Sequence, residues 1–140
     1  MNEPRAQRSG PIERPLSPHL QIYRPLINMT MSIVHRLTGA ALYFGTLLLV
    51  WWLTALATNE HYFNYVSAIF ASLPGRIVLI GYTWALLHHM LGGLRHFVWD
   101  TGHGYDLKTV DRLSWGTLFA SLALTALIWL KPLTGWGISP

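Results

Sequence analysis

The chain has 140 residues, 51% hydrophobic and only 11% charged, with seven tryptophans and a formal charge of +4. So little charge is too little to cover a small soluble domain, and the basic residues sit at the ends of apolar stretches, as membrane topology and not nucleic-acid binding requires. The absence of cysteine excludes disulfides, iron–sulfur ligation and a thiolate haem ligand from this chain.

Residues 1–28 carry Pro4, Pro11, Pro15, Pro18 and Pro25. Proline at that density prevents a continuous helix and favours extended or turning chain. This arm lacks the apolar core of a signal peptide and is expected to stay in the mature protein. The first span is expected over about residues 29–57, most apolar from Thr38 to Thr58. Its opening turns carry Ser32, His35 and Arg36 on one helical face. A loop around residues 59–72, ended by Pro74-Gly75, leads to a second span over about 77–99. A polar loop over 100–112, rich in turn residues, precedes a third span over 113–130, and a short tail over 132–140 closes the chain. Crossing the hydrocarbon core takes roughly 20 predominantly apolar residues. Backbone satisfaction in lipid makes each such span a helix.

Charge sets the expected orientation. Arg5, Arg8, Arg14, Arg24 and Arg36 precede or open the first span, and Arg95, Lys108 and Arg112 flank the loop after the second. Both groups fall on one side of a three-span chain, and the other side receives only Arg76 and Lys131. The positive-inside rule then puts the N-terminus in the cytoplasm, or its matrix equivalent, and the C-terminus outside. Trp99, Trp115, Trp129 and Trp136, with Tyr62 and Tyr65, fall near span ends, where interfacial aromatics belong. The fold expected is an all-α membrane protein: a proline-rich arm (1–28), a domain of three transmembrane helices (29–131) and an external tail (132–140).

The chemistry concentrates on the second span. His89, Gly92, Gly93 and His96 follow the i, i+3, i+4, i+7 repeat of one helical stripe. The rise from His89 to Asp100 is roughly 16 Å at 1.5 Å per residue, which puts His89 near mid-membrane and His96 towards its inner edge. Ionisable residues inside a bilayer are functional candidates by default. A neutral imidazole at mid-depth suits an axial haem ligand, and two glycines one turn away leave room for a porphyrin against the backbone. Arg95 and His96 would then stand near its carboxylates. The plainer reading has the glycines in helix–helix contact, and His96 and Arg95 snorkelling to the interface. His88 points away from this stripe and reads as a polar residue bonded to a neighbouring helix. Ser32, His35 and Arg36 could bond quinone carbonyls or haem propionates. In the alternative, Ser32 bonds a carbonyl one turn back and the other two reach headgroups.

Three motifs carry a resemblance: R-P-L-S-P-H-L from Arg14, S-I-V-H-R-L-T-G from Ser32, and H-M-L-G-G-L-R-H-F-V-W-D-T-G from His89. In this order, and with three spans, they resemble the cytochrome b subunit of succinate dehydrogenase (complex II). The resemblance implies a membrane anchor for a flavoprotein subunit and an iron–sulfur subunit, with a second small anchor subunit completing the helical bundle. Electrons from succinate would pass through flavin and clusters to ubiquinone at the inner side. By motif position, His89 would be this chain's axial ligand to the iron of a b-type haem, the other ligand being a histidine of the second anchor. Ser32 and Arg36 would be quinone-site residues, His35 with Arg36 would lie near the haem propionates, and Asp100 receives no firm role.

The residues agree that partners are needed. No Gly-rich dinucleotide fingerprint follows a strand, no cysteine is present to hold a cluster, and the three helices offer one well-placed mid-depth histidine. The chain alone is therefore not expected to be catalytic. Two alternatives are a haem-binding anchor of a fumarate reductase and a haem-free structural anchor. The lack of an Arg-rich amphipathic presequence favours a bacterial inner membrane over the mitochondrial one.

Overall fold

A computed structural model describes residues 16–17 and 20–134. Most of the proline-rich arm, with Arg5, Arg8 and Arg14, and the tail with Trp136 lie outside the described residues. Those described form four helices: α1 (Ile27–Thr58), α2 (Glu60–Ala71), α3 (Leu73–Asp100) and α4 (Leu107–Thr134). Three stretches are long and apolar enough to cross a membrane, namely Ile27–Thr58, Leu73–Asp100 and Leu107–Leu130. The chain is a multi-pass membrane protein with α3 in the middle, packed on α1 and on α4.

Residues 59–72, expected as a loop, are instead the short helix α2. Asn59 caps it by accepting the Tyr62 N–H at 2.9 Å, and Glu60 puts an acidic side chain in the first turn, where the helix dipole favours it. Tyr62, Phe63, Val66 and Phe70 recur at helical spacing, and Val66 is fully buried. Trp51 Nε1 donates to the Tyr62 hydroxyl at 2.8 Å, and the Trp52 and Phe63 rings meet at 5.5 Å. Tyr62, which reads as interfacial in the sequence, therefore joins Phe63 in clamping α2 onto the two tryptophans of α1, whereas Tyr65 stays exposed.

Helix α3 starts earlier than expected because Pro74 falls in its first turn, where a missing N–H costs nothing. Ser72 ends α2 through its N–H and caps α3 by accepting from Gly75 N at 3.3 Å. A Cβ on Gly75 would strike the Ile69 and Phe70 backbone, so only glycine permits this junction. Helix α4 also starts early: the Asp106 carboxylate accepts the Thr109 N–H at 3.0 Å. Between α3 and α4, Gly102 and Gly104 take positive φ angles of 79° and 77°, a region open to glycine.

The bundle is polar inside and apolar outside. Buried on α4 is a stripe of hydroxyls, Ser114, Thr117, Ser121 and Thr125, facing α3, on which His88 and Arg95 are buried. Leu47, Phe97, Phe119 and Leu127 are among the large apolar side chains that face outward. Burial by this chain cannot drive such an arrangement through apolar area. Small residues at the contacts and hydrogen bonds between helices hold it, as lipid-embedded packing requires.

Candidate functional site

His35 of α1 and His89 of α3 stack with ring centroids 4.0 Å apart and planes 16° from parallel. His35 Nε2 lies 3.2 Å from the His89 carbonyl oxygen, and His89 Nδ1 lies 3.0 Å from the His35 carbonyl oxygen. A carbonyl only accepts, so each of these nitrogens carries a proton and the other nitrogen of each ring is the basic one. The Thr38 hydroxyl donates to the His35 carbonyl at 2.9 Å and stands 3.4 Å from His89 Nδ1. The His89 imidazole is thus held by α1 through Nδ1–H. Its Nε2 has no hydrogen bond among the described residues.

Glycines make room for the pair. A Cβ on Gly39 would come within 2.9 Å of His89 Cε1, and one on Gly92 would run into the His35 ring. Gly92 is buried there, whereas a Cβ on Gly93 would have nothing within 4 Å. Of the two adjacent glycines, one admits a histidine of α1 and the other leaves a bare strip of backbone. The aromatic row continues outward. His96 lies 5.5 Å from the His35 ring and 5.0 Å from that of Trp99, which stacks on Tyr105.

Beside this row, where α1 starts and α3 ends, is a cavity of about 510 Å³. Helix α1 contributes Met29, Ser32 and Ile33, and α3 contributes Arg95, His96 and Trp99. The Ser32 hydroxyl is exposed and makes no hydrogen bond among the described residues, so it is not spent on a carbonyl one turn back. Tyr105, whose hydroxyl donates to the Trp99 carbonyl at 2.9 Å, closes one wall. Arg95 is only 5% exposed; its Nη1 donates to Ser114 Oγ at 3.1 Å and its Cζ lies 5.0 Å over the Trp99 ring.

The structure brings Ser32, Arg95 and His96 to the cavity, and His35, His89 and Gly92 to the helix contact beside it. It does not bring Arg36 there: that side chain is exposed and lines no part of the cavity. Asp100, at the end of α3, is exposed as well. His88 is 1% exposed and turned to α4, with Nδ1 3.2 Å from Ser121 Oγ. The Ser121 hydroxyl donates to the Leu118 carbonyl, so it accepts from His88. Sequence reasoning missed Thr38, Ser114 and Tyr105. Thr38 stands one turn after His35 and was within reach of the same face argument. Ser114 opens a hydroxyl repeat on α4, but only the packing shows that this repeat faces Arg95.

Comparisons with known proteins converge on these elements. The family profile described as succinate dehydrogenase/fumarate reductase transmembrane subunit matches residues 11–128. The succinate dehydrogenase cytochrome b556 subunit of Rickettsia prowazekii (strain Madrid E) is 38% identical over 118 residues, covering 84% of this chain and 92% of that protein. The subunit of the same name from Paracoccus denitrificans is 40% identical over 114 residues, covering 81% and 88%. The succinate dehydrogenase cytochrome b560 subunit of Marchantia polymorpha is 39% identical over 104 residues, covering 71% and 76%. With three apolar spans, a latched mid-span histidine and a match along most of its length, the chain belongs to the family of cytochrome b membrane-anchor subunits of succinate dehydrogenase.

Proposed function

We propose that this chain shares a b-type haem with a second anchor subunit and forms part of the ubiquinone-reduction site. It would act in a complex that passes electrons from a flavoprotein subunit and an iron–sulfur subunit to quinone. The observation that carries this reading is the state of His89, with Nδ1–H held by the His35 carbonyl and Nε2 left as a basic nitrogen. That is the tautomer an axial ligand needs, oriented by a bond from its far nitrogen. The residues present fit one half of a haem site. His35 is already engaged with His89, its ring stacked at 4.0 Å and its Nε2 bonded to the His89 carbonyl, so its role would be to hold His89 and not to bind the iron. The second ligand would be a histidine of the partner anchor, as the family resemblance implies. In this reading the open backbone at Gly93 would take the edge of the macrocycle, and the exposed Arg36 would pair with its carboxylates. When bound, the haem supplies a one-electron carrier.

The cavity at the inner end is the quinone pocket in this reading. Ser32 holds a free hydroxyl there and donates to a quinone carbonyl oxygen. Arg36, one turn on from Ser32, is exposed and lines no part of this cavity; in this reading it meets the quinone once a partner subunit completes the site, where its charge favours negative charge developing on that oxygen. Two electrons arrive from the iron–sulfur subunit and two protons from the cytoplasmic side, giving quinol. The basic residues clustered at this end favour an N-terminus inside, and bacterial relatives such as that of Paracoccus denitrificans support the bacterial inner membrane as the location.

The test is a reduced-minus-oxidised visible spectrum of the detergent-purified complex, wild type against His89→Ala, with subunit content checked on the same samples. Loss of the six-coordinate b-type spectrum with every subunit retained is the expected result. An unchanged spectrum would move the ligand to another histidine or leave the chain a haem-free anchor.

A further inference from the structure

We propose that Arg95 is a second, buried positive charge of the quinone pocket, binding the oxygen-bearing headgroup, and that Ser114 of α4 is the residue that positions it. The inference rests on the reading of the cavity just given. A guanidinium stays protonated even when buried, so it carries its charge into the bundle. Yet among the described residues no carboxylate pairs with it, and its Nε–H is buried with no acceptor. A buried charge without a counter-group is costly and persists where something else supplies the missing partner.

Two contacts and the lining of the cavity point to where that partner comes from. The Ser114 hydroxyl takes one Nη1 proton at 3.1 Å, holding the fork against α4. The Trp99 ring lies 5.0 Å from Cζ and fixes the plane of the fork. Trp99 lines the 510 Å³ cavity and no part of the smaller groove that Arg95 also borders, where a second cation, Arg112, stands among mainly apolar and small residues and would repel a positive neighbour instead of supplying an acceptor. The cavity side also holds Ser32 and His96, two further groups that can bond an oxygen. An acceptor entering the cavity therefore meets a hydroxyl from α1 and a charged fork from α3. Such a pair suits a flat ring with oxygens at its two ends.

The experiment uses the whole purified complex, with subunit and flavin content verified. It reads the KM for a short-chain ubiquinone, the dissociation constant of a competitive headgroup inhibitor, and the haem spectrum and midpoint potential. Arg95→Gln is expected to raise both quinone-side constants about tenfold, the worth of a charged hydrogen bond, with the haem signals unmoved. Ser114→Ala is expected to raise them a few-fold, and Arg95→Lys, which keeps the charge without the fork, to fall between wild type and Arg95→Gln. If Arg95→Gln fails to assemble, Ser114→Ala and Arg95→Lys decide. A shifted haem potential with unchanged quinone constants would overturn the proposal and make Arg95 a partner of the haem carboxylates. Losses that added anionic phospholipid reverses would overturn it in favour of a lipid phosphate, and no change in any readout would leave Arg95 purely structural. Ser32→Ala separates the two levels. If it weakens quinone binding while the Arg95 variants do not, the pocket stands and this inference fails. If none of these variants matters, the pocket assignment itself fails.

Discussion

Gly92 and Gly93 are neighbours in the chain, yet the structure predicts opposite responses to the same substitution. An added methyl on Gly92 would run into the His35 ring, and that ring is not free to yield. It is stacked on His89 at 4.0 Å and bonded to the His89 carbonyl at 3.2 Å. Gly92→Ala must therefore either part α1 from α3 or expel His35. Overpacking costs about 1–3 kcal/mol and the lost hydrogen bond about 0.5–1.5 kcal/mol, so the expected loss is about 1.5–4.5 kcal/mol. Gly93→Ala meets nothing within 4 Å and should leave the α1–α3 contact unchanged. A denaturing-detergent titration of the purified complex, following dissociation of this subunit, compares the two. Equal midpoints for Gly92→Ala and wild type would refute the His35–Gly92 packing. With the helix contact intact, reduced haem content in Gly93→Ala would place the macrocycle on the open strip of backbone.

Ser121→Ala leaves His88 Nδ1 without its acceptor in a site 1% exposed; the expected cost is about 1–3 kcal/mol, read by the same titration, and a neutral result would mean that His88 bonds elsewhere. Asp106 carries a pH dependence: its carboxyl is held below the usual range first by the Thr109 hydroxyl and then by the Thr109 N–H. A depressed carboxylate stabilises the folded form above its unfolded pKa and loses that effect as pH falls through the lower folded value. The start of α4 should then fray only in acid, seen as faster hydrogen exchange at the Thr109 amide, and Asp106→Asn should remove the pH dependence. Arg36→Leu is expected to impair quinone reduction while succinate oxidation by an artificial acceptor persists, and equal loss of both would indicate failed assembly.

The three spans were legible because lipid imposes one simple requirement, a long run of apolar residues with its backbone satisfied internally. Their ends were less so. Pro74 looks like a breaker until it falls in the first turn of α3, and the charged residues Lys108, Asp111 and Arg112 hide the first turns of α4. Residues 59–72 read as a loop although Tyr62, Phe63, Val66 and Phe70 recur at helical spacing, because the segment is too short to cross a membrane and ends at the turn residues Pro74-Gly75. At the site, the stripe from His89 to His96 could be read from period alone. That Gly92 admits His35, and that Arg95 leans on Ser114, are facts of how two helices meet. No periodicity within one helix encodes them.

The hydroxyl stripe of α4 bears on how this protein is made. Thr117, Ser121 and Thr125 each donate to a carbonyl of their own helix, at 2.7–2.8 Å, so α4 can leave the translocon with those protons already satisfied. Helix α3 has no such independence. His88 and Arg95 find their hydroxyl partners only on a segment synthesised later. Until α4 emerges, α3 carries an imidazole and a guanidinium whose hydroxyl acceptors do not yet exist, and the guanidinium has only the Trp99 ring of its own helix to rest on. It is the span most dependent on being retained beside the insertion machinery, and a nascent chain truncated before Ser114 is the form that membrane quality control should remove fastest.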